Sequence, residues 1–567
     1  MKESPKYRQP QKIEIENRQW PTRMIEKAPL WVPVDLRDGN QAFAKPMNVE
    51  KKIRYFKMLT AIGYKEIEAG YPAASNEEFE FVRRLIEEEL IPDDVRIVVF
   101  TAARKDLIDR TVESIRGIKQ AVVHCYAATS DLHREFVFHK SPGELKKMAT
   151  DGTRMAVEAL KDAGLYERCA YEFSPEEFSD SRLDYIVELA EEVREAWGRP
   201  GKGNFILNLP ATVERRPPNQ YADMIELFTR NYSGMGDTTL SIHTHNDQGC
   251  AIAAAEMAVL AGAERVEGTL CGHGERTGNM DLVTSALNLM SRGIETGLDF
   301  SNLPEIVKFV EDVSEIKLYP RHPYAGELVF TAFSGTHQDA IRKGMAQRKE
   351  ISEYFGQGWK VPYLHIDPAD LGRGYEGLIR INSQSGKGGA AFIMSNNFGY
   401  ELPKAMHPEF GKAVKAACDA AGTEITPQQV FDLFKKEYID VDGPYQILKM
   451  KYYDEGAEDG SASHGRFVGL IKNNGFEPTE ISGEGNGPID AFFNALRQVG
   501  ISGYHFEDYS EHAISIGSDA KAVSYIHLTD AEGKNIFGVG ISHNIYYASV
   551  RGVMCAINRS MRQAKEG

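Results

Sequence analysis

Across 567 residues the chain has no Cys-x-x-Cys pair; its six cysteines, Cys125, Cys169, Cys250, Cys271, Cys418 and Cys555, lie scattered. That excludes a zinc knuckle or dithiol redox motif and places the protein in a reducing cytoplasm. No apolar run reaches the roughly 18 residues of a membrane span. The opening stretch, MKESPKYRQPQKIEIENRQWP, lacks the apolar centre of a secretory signal. Positive charge is in deficit, 66 Lys and Arg against 82 Asp and Glu, for a net charge of −16. This disfavours nucleic acid or an anionic membrane as partner. No GxGxxG follows the first hydrophobic run, which argues against a doubly wound dinucleotide fold. Ser385-Gly386-Lys387-Gly388-Gly389 is no Walker A loop, because Gly388 stands where Ser or Thr should follow the lysine. It reads as a glycine-rich turn between two strands.

What is present is ordinary globular composition, 42% hydrophobic and 26% charged, at a length that implies about three domains. Residues 1–28 are polar and read as an N-terminal extension. Within 29–315, eight β-branched runs alternate with amphipathic helical stretches. The runs are Leu30–Leu36, Tyr64–Ala69, Arg96–Thr101, Ala121–Ala127, Arg168–Phe173, Phe205–Leu209, Thr239–His243 and Arg265–Leu270. Eight βα units at this length predict an α/β fold, a (β/α)₈ TIM barrel. Residues 316–436 break the rhythm and read as small accessory subdomains. Residues 437–567 run twice through a β-β-β-α pattern, as an α+β domain of regulatory or dimerisation size with no catalytic cluster.

The active site of such a barrel lies at the C-terminal ends of its strands. Arg37-Asp38-Gly39-Asn40-Gln41 follows strand one, His243-Thr244-His245-Asn246-Asp247 ends strand seven, and Gly272-His273-Gly274-Glu275-Arg276-Thr277-Gly278-Asn279 follows strand eight. Two histidines at i and i+2 share one side of a strand. With Asp38 from the neighbouring strand one, and Asn279 as a further oxygen, they make a mixed N/O set for Zn²⁺, Mn²⁺, Co²⁺ or Mg²⁺. The bland alternatives are Asp38 as a turn residue and Asp247 as a helix cap. Glu172 on strand five has two readings. It is either a desolvated proton shuttle with a raised pKa or a barrel-layer carboxylate paired with an arginine. His124 on strand four, taken alone, reads as a core histidine.

LRDGNQA (36–42), SIHTHNDQGCAIAAAEMAVLAGA (241–263) and GHGERTGNMDLV (272–283) resemble the TIM-barrel metalloenzymes of aldol and Claisen chemistry. YEFSPEEF (171–178), NLPATVE (208–214), RHPYAGELVFTAFSGTHQDAI (321–341), VPYLHIDPADLGRGYE (361–376), SGEGNGP (482–488) and GVGISHNIYYAS (538–549) narrow the resemblance to the long-form 2-isopropylmalate synthase family. The resemblance implies a homodimeric acyltransferase that condenses acetyl-CoA with 2-oxoisovalerate and is inhibited by leucine. By the same resemblance Asp38, His243, His245 and Asn279 hold a divalent metal (Zn²⁺, Mg²⁺ or Mn²⁺), and Arg37 stabilises the developing alkoxide. His124 and Thr212 contact substrate, and Glu172, His337 and Tyr375 share the proton transfers, the last two reaching over a barrel mouth from the accessory segment. Gly485, Asn486, Gly487 and Ile489 form the leucine site. Homocitrate or citramalate synthase is the alternative activity, with a hydroxymethylglutaryl-CoA lyase or a non-catalytic leucine-binding regulator behind it. The 437–567 domain argues against the lyase.

Overall fold

The computed structural model describes residues 6–7, 10–332, 334–356, 358–374, 387–421, 425–439, 441, 443–454, 464–514 and 520–566. It divides into two compact units, Met1–Phe330 with Ile366–Tyr375, and Thr331–His365 with Glu376–Gly567.

In the first unit eight parallel strands alternate with helices. They are β1 (Leu30–Pro33), β2 (Glu66–Gly70), β3 (Arg96–Ala102), β4 (Ala121–Ala128), β5 (Cys169–Glu176), β6 (Phe205–Ala211), β7 (Thr239–Thr244) and β8 (Arg265–Gly268). Hydrogen bonds join them in the order β1-β8-β7-β6-β5-β4-β3-β2, and β1 packs beside β2 to close the barrel. The eight predicted runs are therefore the eight strands. β1 is shorter than its run, stopping at Pro33, and β5 is longer, continuing three residues past Phe173.

Local chemistry sets the helix starts. Asn48 Oδ1 accepts the Lys51 N–H at the head of the helix Val49–Ile62, and Ser141 with Glu144 forms a capping box at Pro142–Asp162. The first helix ends on Gly63 at φ +114, where a Cβ would stand 2.6 Å from the Gly297 carbonyl oxygen. The N-terminal stretch is anchored rather than loose. Arg18 donates to both oxygens of Asp223, at 2.6 and 2.7 Å, and the Trp20 indole donates to Asp223 at 2.8 Å. The neighbouring Glu226 accepts the backbone N–H groups of Gln19 and Trp20. Two buried acids on the helix Pro218–Asn231 thus hold residues 18–20.

The barrel interior is apolar on one side and ionic at its centre. Val98, Val122, Ala170 and Ile206 form a layer from four adjacent strands. Arg265 on β8 reaches across to Glu66 on β2 at 2.6 Å and bidentately to Glu172 on β5 at 2.8 and 2.9 Å. It also meets Glu267 on its own strand at 2.8 Å. All four side chains are at most 1% exposed.

In the second unit, helices span Gly335–Ala346, Arg348–Phe355, Lys387–Phe398, His407–Ala421 and Pro427–Phe434. The predicted glycine-rich turn between strands needs correction: residues 381–386 lie outside the described ones, and Lys387 opens a helix. Two antiparallel sheets follow, β11-β10-β9 and β12-β13-β14. Their strands are β9 (Tyr445–Asp454), β10 (Gly465–Asn473), β11 (Thr479–Gly485), β12 (His505–Ala513), β13 (Ala522–Thr529) and β14 (Asn535–Ser542). The helix Pro488–Leu496 follows the first sheet and Ile545–Glu566 the second, so the twofold β-β-β-α pattern is present. Each last strand carries a Gly-x-Gly against its own helix. A Cβ on Gly483 would stand 2.4 Å from the Ala495 nitrogen, and one on Gly538 2.4 Å from the Ala556 nitrogen. Only glycine lets backbone meet backbone at that distance. Among the described residues no helix is long and apolar enough to cross a membrane.

Candidate metal centre

After β1 the chain makes one wide helical turn, Asp35–Gly39. Asp35 pins this turn by accepting from the Tyr55 hydroxyl at 2.7 Å and from the Leu270 N–H at 2.9 Å. The turn presents Arg37 and Asp38 to the barrel mouth. From β7, His243 and His245 face the same side, as their spacing predicts. Asp38 Oδ2 is 3.6 Å from the Nε2 of each histidine, and the two Nε2 atoms are 3.1 Å apart. A triangle with these sides has its centre about 2.0 Å from each corner, the coordination distance of zinc to nitrogen and carboxylate oxygen.

Asp38 Oδ2 is buried with no hydrogen-bond partner, as are His245 Nδ1 and Asn279 Oδ1. An anionic oxygen left bare beside two imidazole nitrogens is costly unless a cation completes it. The donor set therefore fits a divalent metal. Burial alone would raise Asp38, but Arg37 and the two histidines outweigh it and hold the carboxyl at about 2. Burial, reinforced by His243, takes His245 down to about 3, leaving a neutral ligand nitrogen.

These residues belong to a continuous circuit of hydrogen bonds. Arg37 Nη1 donates to Asp38 Oδ1 at 2.7 Å and Arg37 Nε to Glu68 Oε2 at 2.8 Å. Glu68 Oε1 meets His124 Nδ1 at 2.9 Å, and His124 Nε2 meets Ser174 Oγ at 2.7 Å. Asn208 Nδ2 donates to Ser174 Oγ at 3.0 Å and to Glu267 Oε2 at 3.1 Å. Glu267 Oε2 accepts from His243 Nδ1 at 2.9 Å. The circuit leaves one corner of the triangle and returns to another.

The cleft above it is lined by Arg37, Asp38, His124, Thr212, His243 and His245, all from the expected set. It adds Ser174, Glu176, Asn208, Glu267, Phe100, Tyr126 and Pro210. Glu172 is not in the lining. Its bidentate partner Arg265 places it in the layer below, which is the second of its two readings, a barrel-layer carboxylate paired with an arginine. Glu176, on the same face of β5 and about 13 Å further along the strand, is the carboxylate that β5 brings to the cleft. Burial pushes its carboxyl up, with His133 and Arg37 pulling the other way. Thr212 Oγ1 accepts the Glu177 N–H at 2.9 Å. Asp247 caps no helix: it accepts Arg276 at 2.6 Å and the Glu214 N–H at 2.9 Å, while Arg276 also donates to the Thr212 carbonyl.

The Asn279 loop depends on glycine. At Gly278, φ +95, a Cβ would stand 1.8 Å from the Gly272 carbonyl oxygen. Gly278→Ala must move the Gly272–Asn279 turn, at a strain of about 1–3 kcal/mol. It is expected to lower divalent-metal affinity about tenfold, read by competition with a chromophoric chelator.

His337 lies in the second unit, exposed on the helix Gly335–Ala346, with its ring stacked on Tyr363 at 3.9 Å. Tyr375 lies outside the described residues. In the C-terminal domain Gly485-Asn486-Gly487 leads into the helix Pro488–Leu496, as expected. One N–H that was to face a ligand carboxylate is already held, since Asn486 donates to Asp490 Oδ2 at 3.0 Å. Ile489 packs, half-buried, on an apolar core that both β-β-β-α halves share.

Three family models match the chain: HMGL-like over residues 28–310, alpha-isopropylmalate synthase post-catalytic domain-like over 327–395, and LeuA allosteric (dimerisation) domain over 424–561. The 2-isopropylmalate synthase of Clostridium acetobutylicum is 49% identical over 557 residues, 98% of this chain and 99% of that one. The protein of that name from Parvibaculum lavamentivorans is 46% identical over 98% of this chain and 96% of its own. For that from Thermobifida fusca the values are 46%, 97% and 96%.

Proposed function

We propose how this centre works from one premise: the chain belongs to the 2-isopropylmalate synthase family. It is an acyltransferase joining acetyl-CoA to 2-oxoisovalerate, releasing 2-isopropylmalate and CoA, in leucine biosynthesis. The observation that carries the site assignment is the bare Asp38 Oδ2 facing two imidazole nitrogens. Asp38, His243 and His245, with Asn279 Oδ1 as a fourth donor, would hold a divalent metal that acts as Lewis acid on the keto carbonyl.

The chain's own residues divide the remaining work. Arg37, fixed between Asp38 and Glu68, sets a permanent positive charge where the keto oxygen becomes an alkoxide. Thr212, whose Oγ1 accepts the Glu177 N–H and keeps its O–H to donate, offers a hydrogen bond to the substrate carboxylate, and the substrate contact given to His124 rests on the family resemblance. Phe100 and Tyr126, stacked at 4.7 Å, and Pro210 give the isopropyl group an apolar wall. Glu176 takes a proton from the acetyl methyl, its raised pKa matching it to a weak carbon acid. The parts given to His337 and Tyr375 in the same transfers rest on the family resemblance. Water then hydrolyses the condensed thioester.

We also propose a cytoplasmic homodimer whose LeuA domain binds leucine, with Gly485–Gly487 and Ile489 at the site. One assay tests the activity and its control: thiol release from acetyl-CoA with divalent metal and 2-oxoisovalerate, pyruvate, 2-oxobutyrate or 2-oxoglutarate, with and without leucine. Fastest release with 2-oxoisovalerate, lowered by leucine, is the expected result. Fastest release with pyruvate or 2-oxoglutarate would move the protein to a sister synthase, since one methylene is worth only about 1–3 kcal/mol of discrimination.

A further inference from the structure

The two histidines of the candidate centre are held unequally. His245 Nδ1 is buried with no partner. His243 Nδ1 donates to Glu267 Oε2 at 2.9 Å. A carboxylate can only accept, so this bond puts the proton on Nδ1 and leaves Nε2 as the lone pair facing Asp38 Oδ2 and His245 Nε2. Glu267 has no freedom to turn away. Its Oε2 also takes Asn208 Nδ2 at 3.1 Å, and its Oε1 takes Arg265 Nη1 at 2.8 Å. Arg265 is itself locked by Glu66, Glu172 and the Ser241 hydroxyl, the last at 2.7 Å.

We propose that Glu267 is the positioning residue of the metal centre: it fixes the tautomer and aim of His243, and the buried Arg265 fixes Glu267. This rests on the reading of Asp38, His243 and His245 as metal ligands. The structural consequence is asymmetry. His243 is a ligand with an anion behind it, which raises its basicity and orients its ring; His245 has neither. Glutamine at 267 keeps the shape but can turn an N–H toward Nδ1. The proton would then move to Nε2, the nitrogen meant for the metal.

The test uses the full-length protein stripped of metal and titrated with Zn²⁺ against a chromophoric chelator, alongside thermal melts of the stripped forms. Glu267→Gln is expected to weaken Zn²⁺ binding about 10- to 100-fold. Glu267→Asp, which keeps the charge but shortens the reach by one methylene, should weaken it as well and serves if the glutamine variant does not fold. Glu66→Gln removes a different carboxylate from the same arginine and touches neither histidine; it should bind within about threefold of the parent. Parent-like Zn²⁺ affinity in both Glu267 variants would overturn the proposal, and so would an equal loss in Glu66→Gln. His243→Ala separates this from the premise: if it binds Zn²⁺ as well as the parent, the ligand assignment itself is wrong.

Discussion

His243→Ala should yield a folded protein that retains no divalent metal and releases CoA at least about a thousandfold more slowly. The rate follows from the Lewis-acid term, several kcal/mol of charge stabilisation on the keto oxygen, about 4 kcal/mol corresponding to three powers of ten. Folding should survive because of what the histidine leaves behind. Glu267 keeps Arg265 and Asn208 as partners, so no carboxylate is stranded in the barrel. The substitution also removes one imidazole from a pair whose Nε2 atoms sit 3.1 Å apart. Metal content by elemental analysis, a thermal melt and the thiol-release assay check the three parts separately. A variant that still carries one metal per chain would contradict the ligand assignment.

The second large effect is a contrast between two glutamates four residues apart. Glu176→Gln removes the β5 carboxylate from the cleft lining, and kcat is expected to fall about 10²- to 10⁴-fold with the melting temperature nearly unchanged. Because burial raises the Glu176 carboxyl and a base must be ionised to act, the rate should climb with pH through that raised value. The variant should lose this acidic limb. Glu172→Ala should behave in the opposite way. It strips two hydrogen bonds from a fully buried guanidinium, at a cost of about 3–5 kcal/mol when one partner of a buried pair is deleted. The melting temperature should drop while the folded fraction keeps most of its turnover. Burial and the neighbouring Glu267 push the Glu172 carboxyl up against the pull of Arg265. Glu172→Gln should therefore be far milder than the alanine, since it mimics the protonated form. A kcat collapse in Glu172→Gln without one in Glu176→Gln would reverse the assignment.

Sequence reasoning named Glu172 and missed Glu176, and the reason lies in β5. The run read from sequence ends at Phe173, short of Pro175, and proline gives no N–H to a ladder. In the structure β5 pairs with β6 only at Tyr171–Phe173, and beyond that with β4 alone, through Pro175↔Ala127 to Glu176↔Ala128. The last three residues form a local edge, where proline is tolerated. The inward alternation Glu172, Ser174, Glu176 therefore continues to the mouth. The period-two pattern was a usable signal once the strand was allowed to pass the proline. The metal triangle was legible because two of its residues stand two apart at the end of β7 and the third directly precedes Gly39 after β1. Glu68, Asn208 and Glu267 were not legible, because they stand on three different strands with no motif to link them. Only closure of the barrel brings them into one circuit.

That circuit also sorts the cleft for anyone wishing to change the oxo acid the enzyme accepts. Arg37, His124, Ser174 and Asn208 each hold two neighbours in the ring, so a substitution at any of them loosens the metal as well as the substrate. Phe100 sits under the Arg37 guanidinium at 4.2 Å and shares that constraint. Tyr126 and Pro210 line the same space and donate to nothing in the ring. Laboratory evolution toward shorter or longer side chains has its widest tolerance at those two positions, where cavity size can drift without disturbing the chemistry beneath.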